Sequence, residues 1–183
     1  IYADGLDGKT MLEMLEDRTA FIKLKLSENC RNTKQICDDI EVITGYEASK
    51  DLWTKVEGLP VDHKVCKSDE EALEKLVALL HDKEKITILS PRSRGNSIVS
   101  QIEDIRIKDF SFKYTEELSF STVQSFKGLE NAVIILVDVD SYSAINLMYV
   151  ALSRARTTLY IFETKTAHAV EEANKWMITE ENN

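Results

Sequence analysis

The chain is short of the residues that punctuate, staple or anchor a protein. Two prolines and six glycines in 183 residues exclude collagen-like and low-complexity architectures. Three cysteines, Cys30, Cys37 and Cys66, show no C-x-x-C spacing, so they supply neither an even disulfide framework nor a thiolate zinc site. Reduced, mostly buried thiols are the expectation. His63 and Cys66 stand three apart in "VDHKVC", but two candidate ligands do not close a tetrahedral site, and no metal is expected. No apolar run approaches the ~18 residues of a membrane helix, and the acidic opening "IYADGLDG" lacks the basic start of a signal peptide. A cytoplasmic protein without membrane contact is expected. Positive charge is scarce too: 23 Lys and Arg against 32 Asp and Glu give a net charge of −9. That balance excludes nucleic-acid binding by bulk electrostatics, which needs clustered cations. Any such contact has to be local or shared with another domain.

What is present is core. Hydrophobic residues make up 43% of the chain and charged residues 30%, and a single domain of this size buries roughly 70% of its unfolded surface. Apolar periodicity alternates between strand and helix. "FIKLKL" (21–26) reads as a strand and "NTKQICDDIEVITG" as a helix, with Ile36, Ile40 and Ile43 on one face, Asn32 or Thr33 as its cap and Gly45 as its stop. "SDEEALEKLVALLHDK" carries a capping box, Ser68 with Glu71, and an apolar stripe of Leu73, Leu76, Val77 and Leu80. "ITIL" (86–89) reads as a buried strand, and a helix is expected through Ile98 and Ile102. "FSFKY" and "FSTV" follow as strands, and the run Ala132 to Val137 suits a central parallel strand covered on both faces. "AINLMYVALSRA" reads as a helix, "TTLYIF" as a strand, and "AHAVEEANKWM" as a last helix burying Val170, Ala173, Trp176 and Met177. Strands separated by helices imply a parallel sheet with ligands beyond its carboxyl ends, which directs attention to the loops "SENCRNT", "SPRSRGNS", "QSFKGLE" and "DVDSYS".

One opening stretch invites a different reading. Ala3 to Thr10, "ADGLDGKT", is one residue from the phosphate-cradling pattern G-x-x-x-x-G-K-[ST]. Only Ile1 and Tyr2 precede it, Asp4 and Asp7 oppose a phosphate, and Ala3 stands where the first glycine belongs. A solvated acidic loop is the better reading.

"STVQSFKGLENAVIILVD" and "MYVALSRARTTLYIF" resemble motifs V and VI of superfamily 1 helicases of the UvrD/Rep type, with a K-G-L-E core and a Y-V-A-L-[ST]-R-A run respectively. "LSENCRNTKQI" is similar to motif IV of the same family, and the three occur in order, near 26–36, 121–130 and 147–156. The resemblance implies that 1–183 is one domain, the second RecA-like lobe of such an enzyme. Its fold would be a three-layer α/β lobe with a mainly parallel central sheet, the P-loop NTPase fold without a P-loop of its own. Residues 1–20 would connect from a first lobe, with Ile1-Tyr2 as the tail of motif III.

The same resemblance implies roles. Arg154 would be the arginine finger on the γ-phosphate of ATP and Arg31 a second phosphate contact. Lys127, Gly128 and Glu130 would face the nucleotide, Glu130 accepting from ribose hydroxyls. Cys30 falls where many relatives stack a tyrosine on adenine, which cysteine cannot do. Thr122, Gln124, Arg92, Ser93 and Tyr2 would touch single-stranded DNA, with RNA left open. In the residues alone, Leu147, Val150, Ala151 and Arg154 share one helical face, and Arg156 points to a different side. ATP and Mg²⁺ would bind only with the first lobe, so this chain alone is expected to be a monomer with negligible ATP hydrolysis. Two rivals stand beside this reading: a degenerate, nucleotide-free lobe serving as a protein scaffold, and a free-standing P-loop enzyme using "ADGLDGKT".

Overall fold

The computed structural model describes residues 31–46, 56–80, 85–104, 107–110 and 118–181, with side chains through Met177. The expected strand 21–26, the loop 3–10, Tyr2 and Cys30 lie outside these residues.

In chain order the described elements are α1 (Lys34–Thr44), β1 (Asp62–Cys66), α2 (Asp69–Leu80), β2 (Ile86–Ser90), two 3₁₀ turns (Arg94–Asn96 and Ile98–Gln101), β3 (Lys108–Asp109), β4 (Ser119–Thr122), β5 (Asn131–Val139), α3 (Ile145–Leu152), β6 (Ala155–Thr164) and α4 (Lys165–Glu181). The six strands form one sheet in the order β1-β6-β5-β2-β4-β3, and every pairing is parallel. This is the RecA-like α/β architecture.

β5 lies between β6 and β2, and its alternation builds the two faces. Ile134 and Leu136 enter one core with α1, α3 and α4, while Ile135 and Val137 enter the other with α2. The alternation slips by one at Asp138, whose φ of 60° bulges the strand and returns Val139 to the first core. The Asp138 carboxylate is held there by the Ser90 hydroxyl at 2.6 Å and the Ile98 amide at 3.1 Å.

Helix ends follow local chemistry with some shifts. α1 starts after Thr33 with no side-chain cap, and Gly45, at φ 63°, closes it by donating to the Glu41 carbonyl at 2.8 Å. The capping box at α2 forms in part: Ser68 Oγ accepts from the Glu71 amide at 3.3 Å, while the Glu71 carboxylate accepts at 2.9 Å from the amide of Lys67, one residue before the cap. Its buried stripe is Ala72, Leu76 and Leu80, with Val77 exposed, because i, i+4, i+8 alignment puts the small residue against the sheet. The expected helix through Ile98 and Ile102 is a single 3₁₀ turn. Ser97 caps its start by accepting from the Val99 amide, and Asp138 takes that of Ile98, but the turn closes after one round at Gln101.

The largest departure is α4. Val170, Ala173, Trp176 and Met177 are exposed, and the helix instead buries Ala167 and Glu171. Its inward face is polar because polar partners wait for it: Asn174 Nδ2 donates to the Val42 carbonyl at 3.0 Å, and His168 Nδ1 meets Glu163 at 2.8 Å. Among the described residues no helix is long and apolar enough to cross a membrane.

Candidate functional site

The site forms at the amino ends of two neighbouring strands, and it draws Arg31 and Glu130 from two of the loops to which the sequence directs the search, "SENCRNT" and "QSFKGLE". Asn131 pairs with Ala155 at the start of β5 and β6, which sets the preceding residues, Glu130 and Arg154, side by side. The Asn131 amide donates to the Arg154 carbonyl at 3.1 Å. A third segment is tied in by Asn32, which is buried. Its Nδ2 donates to the carbonyls of Ser153 at 3.2 Å and Ala155 at 2.6 Å, so Arg31, next to it, is carried to the same corner.

Around Glu130 the arginines gather. Arg31 Nε lies 2.8 Å from Glu130 Oε2, and Arg156 Nη1 lies 3.8 Å from Oε1. Arg154 is 8% exposed and its fork is fixed by the protein: Nε donates to the Val150 carbonyl at 2.9 Å, Nη1 to that of Leu129 at 3.0 Å, and Nη2 to the Ser153 hydroxyl at 2.8 Å. Three of the five guanidinium N–H groups are thereby used. Burial first, and the positive charge of Arg31 next, hold the Arg154 pKa below the usual arginine value. Arg31 and Arg154 thus feel each other's charge, and the two residues expected to converge do so.

Arg156 corrects the expectation that it points elsewhere. α3 ends at Leu152 with Ser153 as its C-cap, so Arg154 sits in a turn and Arg156 in β6, and helical phase no longer separates them. Glu130, expected to accept from a ribose, here accepts from Arg31. Asn32 and Arg156 are the members that sequence reasoning missed. Local pattern marks Asn32 only as a helix cap, although its place beside Arg31 offers a clue.

The loop from β4 to β5 presents the next group. Val123 and Phe126 are fully buried, and Phe126 stacks edge-on against Phe110 at 4.9 Å between ring centroids. Pinned by these two, the loop turns Gln124, Lys127 and Gly128 outward. Gly128 has a φ of 89°, a conformation that a side chain would strain. Thr122 Oγ1 accepts from the Ser125 amide at 3.1 Å and closes the turn.

The second polar loop is engaged differently. Arg92 pairs with Asp140, and its Nη1 lies 3.9 Å from Asp138. Arg94 donates to Asp109 at 2.8 Å and to the Ile107 carbonyl at 2.9 Å. Ser93 is exposed. Arg92 borders a cleft of about 480 Å³ at the carboxyl ends of β1, β2, β5 and β6, which Asp69, Asp138 and Asp140 also line. Four carboxylates, with Glu163 the fourth, outnumber Lys67, Arg92 and Lys165 around that cleft, whereas the arginine corner at the other rim carries a cationic excess suited to a polyphosphate. His63, paired by spacing with Cys66, faces Asp39 and Glu163 instead, at 3.0 and 2.8 Å. Cys66 Sγ donates to the Lys64 carbonyl at 3.2 Å, and Cys37 and Cys66 are free, buried thiols.

Comparisons with known proteins bear on the same region. Residues 118–162, which include the β4–β5 loop, Glu130, α3, Arg154 and Arg156, match the sequence model of the UvrD-like helicase C-terminal domain. No curated protein sequence matches the chain. Among solved structures, the C-terminal domain of a possible DNA helicase from Lactobacillus plantarum WCFS1 is similar, with a TM-score of 0.55 and 16% identity over 73% of this chain and 86% of that one. In sequence over residues 118–162, and in fold beyond them, the chain resembles a UvrD-like helicase C-terminal domain.

Proposed function

We propose that the chain is the second motor lobe of an ATP-dependent helicase or translocase of superfamily 1, and that Arg154 and Arg31 complete an ATP site whose other half lies on a first lobe. The observation that carries this reading is the meeting of Arg31, Arg154 and Arg156 around Glu130, from segments that are distant in sequence. A corner with three guanidinium groups and one carboxylate suits a polyphosphate, which would take the arginines while Glu130 turns to a ribose. The first lobe would supply the P-loop lysine and the carboxylates for Mg²⁺, and the bound metal would neutralise charge on the β- and γ-phosphates.

On this reading Arg154 acts as a preorganised donor. Its backbone and hydroxyl partners fix the plane of the fork, leaving one N–H on each terminal nitrogen for an incoming oxygen. Closing the two lobes brings those donors to the γ-phosphate, and opening releases them, so hydrolysis drives alternate grips on a single strand. Gln124 and Lys127 both face outward on the β4–β5 loop, and on this reading Lys127 would serve the strand instead of the nucleotide that the resemblance implies for it.

The test is DNA-stimulated ATP hydrolysis by the full-length protein. Arg154→Ala is expected to lower kcat by about 10³-fold or more, with nucleotide binding reduced far less. A rate equal to the wild type would favour the scaffold reading. Lys9→Ala is expected to change nothing, and loss of nucleotide binding in that variant would restore the P-loop reading of the opening loop.

A further inference from the structure

Near the carboxyl end of β6, far along the strand from the arginines, charged side chains from two helices and two strands are packed into the first core. His63 comes from β1, Glu163 from β6, His168, Glu171 and Lys175 from α4, and Asp39 from α1. Asp39, Glu163 and Glu171 are buried, at 7%, 2% and 0% exposure. We propose that His63 Nδ1, Glu163 Oε1, His168 Nδ1 and Glu171 Oε2 bind one divalent cation of the zinc type, which staples the edge strand β1 to β6 and α4.

Geometry is the first support. Both Nδ1 atoms lie 2.8 Å from Glu163 Oε1, and His168 Nδ1 lies 3.4 Å from Glu171 Oε2. Ligands about 2.0–2.2 Å from a tetrahedral zinc sit roughly 3.3 Å from each other; His63, Glu163 and His168 offer ligand atoms within 4.8 Å of one another, and Glu171 would join them from the His168 side as the fourth. Two imidazoles and two carboxylates form a donor set of the kind zinc accepts.

The outer atoms of the same four residues give the second support. His63 Nε2 meets Asp39 Oδ2 at 3.0 Å, His168 Nε2 lies 3.5 Å from Glu172, the Tyr142 hydroxyl donates to Glu163 Oε2, and Lys175 contacts Glu171 Oε1. Each ligand is therefore oriented from behind by a partner, the arrangement that fixes ligand geometry at metal centres. Glu171 is fully buried, with Oε1 ion-paired to Lys175 and Oε2 3.4 Å from His168 Nδ1, so Oε2 is the oxygen whose hydrogen bonding is incomplete.

Charge is the third support. Three buried carboxylates, Asp39, Glu163 and Glu171, face one ammonium, Lys175, and a dication would offset the excess negative charge. His168, 28% exposed at its side chain, leaves a path for the ion.

The test uses the full chain, stripped with EDTA and titrated with ZnCl₂ by calorimetry, alongside thermal unfolding. One ion per chain is expected, with a raised Tm. His168→Ala and Glu171→Gln should each weaken binding roughly 100-fold, and Asp39→Asn, a positioning change, about 10-fold. Co²⁺ should give tetrahedral ligand-field bands without a thiolate charge-transfer band, a readout that needs no variant to fold. Absence of binding by the folded wild-type chain, undiminished binding by the His168→Ala/Glu171→Gln double variant, or a thiolate band would each overturn the proposal.

Discussion

Replacing Asn32 by alanine tests the joint that assembles the arginine corner. Its carboxamide makes two hydrogen bonds, at 3.2 and 2.6 Å, to carbonyls on the turn that carries Arg154, and the residue is 4% exposed. A net hydrogen bond is worth about 0.5–1.5 kcal/mol, and a buried carbonyl that loses its donor costs about 1–3 kcal/mol. Two carbonyls in one closed corner, partly relaxed by water, put the loss at about 2–3 kcal/mol. For a chain of this size that is a fall in Tm of roughly 4–12 °C. Urea unfolding followed by circular dichroism measures it, with the m-value expected to stay constant. Asn32→Asp offers acceptors to acceptors and should lose at least as much. A loss below about 0.5 kcal/mol for alanine, or an aspartate variant as stable as the wild type, would show that this side chain does not join the two segments.

Other substitutions separate backbone strain from packing. Gly58→Ala should destabilise more than Gly128→Ala, because a Cβ at 58 would stand 2.6 Å from Thr33 Cβ, whereas at 128 it meets nothing within 4 Å and pays only for φ of 89°; denaturant midpoints should show about 1–2 kcal/mol at 128 and more at 58. Leu76→Ala, at a fully buried position of α2, should cost about 2–5 kcal/mol in the same assay. The Cys37 thiol, pushed up to about 11 by burial and then by Asp38, should stay protonated at pH 8. Its alkylation by iodoacetamide should run far slower than that of a free thiol, as mass mapping of the native chain can establish.

The middle of the sheet was legible because its strands announce themselves, whereas the edge strands β1 (Asp62–Cys66) and β3 (Lys108–Asp109), which carry few apolar residues, were not. Ala132 to Val137 has no polar residue to place in water, and the observed β5 lies between two parallel neighbours. The last helix was misread for the opposite reason. Its apolar residues form a plausible stripe, but Glu171 and His168 find partners at Glu163 and His63, the latter about a hundred residues away in sequence, and local periodicity carries no trace of them. Arg154 and Arg156 were placed on different sides because nothing in "ALSRAR" marks a stop. A glycine would have done so, whereas here Ser153 ends the helix with its amide bonded to Tyr149. The convergence of Arg31 with Arg154 was legible from motif order, while the two carbonyl bonds of Asn32 that enforce it depend on tertiary contact alone.

The acidic balance of the chain sets a condition on any grip it has on a single strand. Arg92 and Arg94, the cations of the second polar loop, already face carboxylates that are mostly exposed, Asp140 and Asp109. A phosphate that displaced those partners would exchange one exposed ion pair for another, each worth about 0–1 kcal/mol, and would release no large store of binding energy. Under the proposed function, affinity for the strand has to come from the outward face of the β4–β5 loop and from the other lobe. Arg92→Ala should then leave the salt dependence of strand binding by the full-length protein nearly unchanged. Lys127→Ala should lower the slope of log K against log[salt] by about 0.7, the contribution of one phosphate contact on a single strand. The reverse pattern would move the grip to the second polar loop.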